Sequence, residues 1–212
     1  QRTDIERVPI DKLQAFYKTW YQPDNAVLIV AGRIDEAKAA ALVQKHFGAI
    51  PRPKRVLPAY YTDEPTQDGE RRVRLERVGD NQIVTTLYRV PAGSHPDYPA
   101  IDVLANVLGD VPAGRLHRAI VQKGLASHAW GAERALHDPG YVFFGASLGR
   151  ELKIDEARAR LIEVVEGVKQ DKIRAEEVER ARTALLNDFE KVQLDTGTLV
   201  RSLSEFIALG DW

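Results

Sequence analysis

Apolar residues recur along this chain in two periods, and the period assigns the elements. Between Pro9 and Trp20, Leu13, Phe16, Tyr17 and Trp20 fall at i, i+3, i+4 and i+7, one face of an amphipathic helix, with Asp11 near its start to meet unpaired amides. Tyr21-Gln22-Pro23-Asp24-Asn25 is a turn by its chemistry: Pro fixes φ, and Asp and Asn compete for local hydrogen bonds. Val27, Leu28, Ile29 and Val30 then form a short continuous apolar run, which predicts a strand over Ala26–Ala31 buried on both faces. Asp35 opens a second helix carrying Ala37, Ala40, Ala41 and Leu42, and Gly48 closes it.

Periodicity fails from Ile50 to Gly69, where Pro51, Pro53, Pro58 and Pro65 are mixed with charges. Residues 56–69 are therefore read as a linker between a first domain portion, 1–55, and a second domain, 70–212. Within the second, Arg71–Val78 and Gln82–Val90 read as strands joined at Gly79-Asp80-Asn81. Tyr98–Leu108 is a helix with Ile101, Leu104, Ala105 and Leu108 on one stripe, and a shorter helix spans Gly114–Gln122. Two more strands, Ala126–Ala135 and Gly140–Leu148, flank Leu136-His137-Asp138-Pro139. Two long helices follow, one on Ile154, Ala157, Leu161, Val164 and Val168, the other on Val178, Ala181, Leu185 and Val192; a last one starts near Thr198. Hairpin-linked strands interrupted and then followed by helices predict an α+β fold with a mainly antiparallel sheet covered by helices.

Charge and composition narrow the function. The 212 residues carry 30 Lys+Arg against 31 Asp+Glu, a formal net charge of −1, which argues against a nucleic-acid binder. No apolar run approaches the roughly 20 residues that span a bilayer. The polar start at Gln1-Arg2-Thr3-Asp4, without an initiator Met, reads as an internal one. The chain has no cysteine, which removes disulfides, thiolate nucleophiles and Cys-based metal sites together.

Candidate chemistry is sparse. The histidines His46, His95, His117, His128 and His137 form no helical H-x-x-E-H pattern. His117 beside Arg118 reads as a surface or packing residue. His128 and Glu133, five apart on a strand, fall on opposite faces and make no metal pair without a bulge. Ser127 and His128 with Asp138 suggest a hydrolytic triad, but there is no G-x-S-x-G elbow and neighbours on a strand point apart. An unrelated hydrolase using His128 or His137 is the reading they would support. Gly32-Arg33-Ile34-Asp35 lacks the glycine fingerprint and lysine of nucleotide-binding turns, so a strand-to-helix turn capped by Asp35 suffices. The charge-rich stretch Arg174–Arg182 reads as the solvated face of its helix. The residues alone assign no catalytic, cofactor-binding or metal residue.

Two blocks resemble the insulinase/pitrilysin zinc metallopeptidases. Asp11 through Gly32, continuing through Phe47-Gly48-Ala49-Ile50-Pro51, is similar to the helix–turn–strand near the end of that family's first domain. Gly114-Arg115-Leu116, Lys123-Gly124-Leu125-Ala126, Gly140 and the Glu176–Leu186 helix are similar to its second, non-metal-binding domain. The resemblance implies a zinc site, H-x-x-E-H plus a further Glu, upstream of Gln1 in a longer parent, and a final helix and strand beyond Trp212. It implies a zinc metalloendopeptidase parent whose zinc-bound water, activated by the motif Glu, attacks a peptide carbonyl. The segment itself is then non-catalytic and without a cofactor of its own; it walls a chamber for peptides or unfolded protein and meets a partner subunit or a second copy. The bacterial two-subunit members point to the periplasm or cell envelope. The substrate-gripping Arg and Tyr of the family correspond to Ile120 and Ser127, so both are absent, as in the zinc-bearing subunit of paired members. The alternative is a non-catalytic processing or assembly subunit that uses the fold as a protein-binding module. The strand at Ala26–Ala31, cut from its sheet, is expected to dock on the second domain's sheet or to drive dimerisation.

Overall fold

The computed structural model describes residues 2–59 and 65–210. The chain forms two compact units, Gln1–Arg74 and Leu75–Trp212.

The first unit holds helices α1 (Arg2–Arg7), α2 (Ile10–Trp20) and α3 (Glu36–Phe47). The side chain of Asp35 accepts from the Lys38 backbone N–H at 3.0 Å and caps α3, as its type and place predict. On α2 and the turn after it, Phe16 lies 6.3 Å from Trp20, and Tyr17 stacks on Tyr21 at 4.9 Å. Arg55 ties that turn together, donating from Nε to the Thr19 carbonyl and pairing through Nη1 with Asp24 at 2.7 Å. This pair holds the Asp24 carboxyl below its usual range. The expected strand at Ala26–Ala31 does not form; those residues join no strand ladder. A strand exists only where a partner satisfies its backbone, and among the described residues the sheet lies within residues 81–149. None of the described residues of this unit is buried, and Leu13, Phe16, Leu28 and Phe47 all stay exposed.

The second unit contains the sheet. Strands β1 (Asn81–Arg89), β2 (His128–Arg134) and β3 (Tyr141–Gly149) are antiparallel in the order β1-β3-β2. Arg71–Val78 is not a strand and makes no hairpin with β1; Val73 and Leu75 are exposed. β1 instead takes β3 as its partner, from Asn81 opposite Gly149 to Arg89 opposite Tyr141. Long-range pairing with the most buried strand removes more apolar surface from water than a local hairpin would. The antiparallel α+β class is as the pattern predicted; the strand count falls to three.

Alternation sorts the sheet into two faces. Val84 and Tyr88 of β1, Ala129 of β2, and Val142, Phe144, Ala146 and Leu148 of β3 point to the core. Helix α4 (Tyr98–Gly109) packs on β2 and β3, α5 (Ile154–Glu166) on β1 and β3, α6 (Ala175–Leu194) on α4, and α7 (Thr196–Leu209) on α6. Leu108, Leu116, Ile120 and Leu161 complete the core between them. Helix α4 approaches β2 so closely that a Cβ on Gly131 would meet the Ala105 carbonyl oxygen at 2.7 Å, so this crossing requires glycine. The segment after Gly114 is helical, with a π-helical turn over His117–Val121 inside the predicted span. Such an insertion in the i→i−4 ladder shifts the side-chain phase by one residue.

Candidate functional site

Gly114-Arg115-Leu116 places Arg115 in the interior, where it organises the largest polar cluster of the unit. Its Nε donates to Glu177 Oε1 at 3.0 Å and Nη2 to Glu177 Oε2 at 2.7 Å, a bidentate fork. Nη1 donates to the Asp171 carbonyl (2.7 Å) and carboxylate (3.2 Å), and Nη2 to the Lys172 carbonyl (3.0 Å), so all five guanidinium donors are used. Arg118 adds a contact at 3.2 Å, and the Arg174 backbone N–H reaches Glu177 Oε2 at 3.0 Å, which closes the first turn of α6. Glu177 is 1% exposed. The Arg115 guanidinium, more than any other group, holds its carboxyl well below the usual carboxylate range. Arg174–Arg182 is thus not simply a solvated face. One of its acids is buried, in phase with Ala181 one turn on, and that phase was the signal available in the sequence. The cluster locks the π-helical segment to the loop between α5 and α6; a fully satisfied fork of this kind fixes geometry and offers no open coordination or reacting group.

A second polar group lies where α4 crosses β2. Tyr98 donates to Glu133 Oε2 at 2.7 Å, and the Ala135 backbone N–H donates to the same oxygen at 3.1 Å. Burial, with help from Glu133, pushes the Tyr98 hydroxyl up, and burial pushes the Asp102 carboxyl up as well.

The residues singled out from sequence fall apart in space. Ile120, which the resemblance puts at the gripping-Arg position, is fully buried in the core. Ser127, which the resemblance puts at the Tyr position, donates its hydroxyl to the Ser147 carbonyl at 2.8 Å. His128 stacks on Trp130 with ring centroids 5.6 Å apart, while Asp138 pairs with His137 at 3.4 Å. The Ser127–His128–Asp138 triad therefore does not assemble. His128 lies opposite Ser147 and Glu133 opposite Val142, on the two different faces that alternation requires. His95 pairs with Asp97 at 3.7 Å on the surface, and Nδ1 of His117 is buried without a hydrogen-bond partner. His46 lines an apolar groove of the first unit with Leu28, Leu42 and Phe47. Gly32, at φ 130°, is the turn glycine before Asp35, in keeping with a capped turn.

Among the described residues no group of three or more His, Cys, Asp or Glu could hold a metal ion. The described residues thus do not supply the three or four ligands within about 2 Å that zinc takes. Among the described residues, too, no helix is long and apolar enough to cross a membrane.

The face of the sheet turned away from the helices is open. Trp130 lies across Gly145, where a Cβ would collide with the indole. Tyr141 and Phe143 are 6.0 Å apart beside it, and Ile83 and Leu87 on β1 are 63% and 58% exposed.

Comparison with known proteins places this architecture. The zinc protease PqqE of Helicobacter pylori is 29% identical over 189 residues, covering 88% of this chain and 43% of that protein. The crystal structure of a protease from Helicobacter pylori superposes with a TM-score of 0.88 at 26% identity, over 98% of this chain and 51% of that one. The first half of the periplasmic protease PqqL of Escherichia coli shares the fold, with a TM-score of 0.65 at 20% identity over 100% of this chain and 47% of that one. The chain thus spans about half the length of the relatives it matches. The family model described as the peptidase M16 inactive domain matches residues 7–185. A match of that extent, on a fold whose signature arginine is spent on an internal lock, makes this chain a member of the M16 metallopeptidase family and its inactive domain.

Proposed function

We propose that this chain is a non-catalytic segment of a zinc metalloendopeptidase, building part of the substrate chamber and of a subunit interface. Zinc belongs to another part of the parent protein, and the substrate is a peptide or an unfolded protein. The periplasm or cell envelope is the compartment, a reading supported by the similarity to a protease described as periplasmic. One observation carries the proposal: the inactive-domain match runs over residues 7–185, and the sheet it covers keeps an apolar, aromatic face open to solvent. An open face of that kind suits transient contact with extended chain better than tight capture.

Incubated with zinc and a quenched fluorescent peptide library, residues 1–212 are expected to show no turnover, whereas the parent carrying its zinc motif hydrolyses the same library. Zinc-dependent cleavage by residues 1–212 alone overturns the proposal. The second reading, a processing or assembly subunit, draws on the exposed Leu13, Phe16, Leu28 and Phe47 of the first unit, which suit a standing protein partner. Zinc analysis of the purified parent separates the two: a stoichiometric metal supports the peptidase, and its absence with a stable partner complex supports the subunit.

A further inference from the structure

Where α4 crosses β2 the two backbones nearly touch: a Cβ on Gly109 would collide with the Gly131 backbone, and one on Gly131 with the Ala105 carbonyl oxygen. Beside this contact α4 presents Tyr98 and Asp102, four residues apart and so on one strip of its surface. From β2 comes Glu133, whose Oε2 accepts from the Tyr98 hydroxyl at 2.7 Å and from the Ala135 backbone N–H at 3.1 Å. Asp102 is only partly exposed, and among the described residues the side-chain charge that acts on it is that of Glu133, a like charge. The neighbouring elements bring it no cation. Arg134 of β2 acts on Tyr98, and β3 has Tyr141 as its ionisable residue, on the open face. Among the covered residues of α6 Glu177 alone is charged, and Arg115 holds it.

Two carboxylates pressed together at a half-buried crossing repel more strongly than they would in water. We propose that this crossing is a proton-operated latch. As pH falls Asp102 takes up a proton, the repulsion from Glu133 ends, and α4 seats more firmly on β2, the strand that carries Trp130 on its other face. Burial first, and then the charge of Glu133, hold the Asp102 carboxyl above its usual range. Its charge therefore weakens the fold at neutral pH, and that penalty is relieved as pH falls toward the unfolded-state value of 3.8. The fork at Glu177 runs the other way, losing its contribution below 4.5, so the latch offsets part of that loss.

Urea melts of residues 1–212 at about pH 4 and about pH 7.5 test the latch. Asp102→Asn imitates the protonated carboxyl and should raise the midpoint by about 0.5 M at the higher pH and by less than half as much at the lower. In a Glu133→Gln background, where the amide oxygen can still accept from Tyr98, the same change should gain about 0.2 M less. No gain at the higher pH, an equal gain at both, or a gain undiminished in Glu133→Gln overturns the proposal. Carboxyl NMR titration of the unsubstituted chain checks it without any substitution. The Asp102 midpoint should lie above those of exposed aspartates, and a midpoint at or below theirs overturns the latch.

Discussion

At the scale of single residues, Arg115 and Glu177 show how a family signature can serve structure rather than chemistry. Both charges are buried, and the pair survives burial because every guanidinium donor finds an acceptor. Removing one partner leaves the other uncompensated, so Glu177→Ala should cost about 3–5 kcal/mol of unfolding free energy, measurable by urea denaturation. The pH dependence follows from the direction of the shift. Glu177 is held below its usual range in the folded state, so its contribution is complete above the unfolded-state value of 4.5 and is lost progressively as pH falls below that. Glu177→Gln should therefore flatten the acid limb of stability against pH; an unchanged limb would show that the fork carries no linkage. Ile120 is the opposite case. The resemblance sets Ile120 at the position of the family's arginine, while its complete burial is visible only once the π-helical turn has set the side-chain phase.

At the scale of elements, local pattern gave the helices from α2 onward, missed the short α1, and misjudged two strands. Helices close their hydrogen bonds within themselves, so α2, α3, α4, α5 and α6 form where the 3.6-residue period put them. A strand borrows its hydrogen bonds from a partner that the local sequence does not name. Ala26–Ala31 and Arg71–Val78 have strand-like composition but join no strand of the sheet, whereas β1 finds β3 across more than 50 residues. The side chains of Val73 and Leu75 are exposed, and exposed side chains contribute little to stability. The double substitution Val73→Ser, Leu75→Ser should therefore change the unfolding free energy by no more than about 0.5 kcal/mol. A loss of several times that in a urea melt would mean that Val73 and Leu75 are buried in solution.

At the scale of the whole molecule, the two units differ in kind. Residues 75–212 bury a contiguous core from Ala105 to Val165, while no described residue of 1–74 is buried. Burial supplies most of the free energy that offsets chain entropy. Residues 75–212 alone should thus unfold in a single cooperative transition close to that of the full chain, and 1–74 alone should melt without one; circular dichroism against temperature distinguishes the two, and a sigmoidal melt of 1–74 would refute the division. By itself the sequence determined the fold class, the positions of the helices after α1, the family resemblance and the want of catalytic motifs, because these depend on composition, short periods and the order of short motifs. Only the tertiary structure decided which strands pair, that Glu177 is buried with Arg115, and that Trp130, Phe143, Arg89 and Arg134 share one open face. Those facts join residues far apart in the chain, and their energy comes from contacts that exist only after folding.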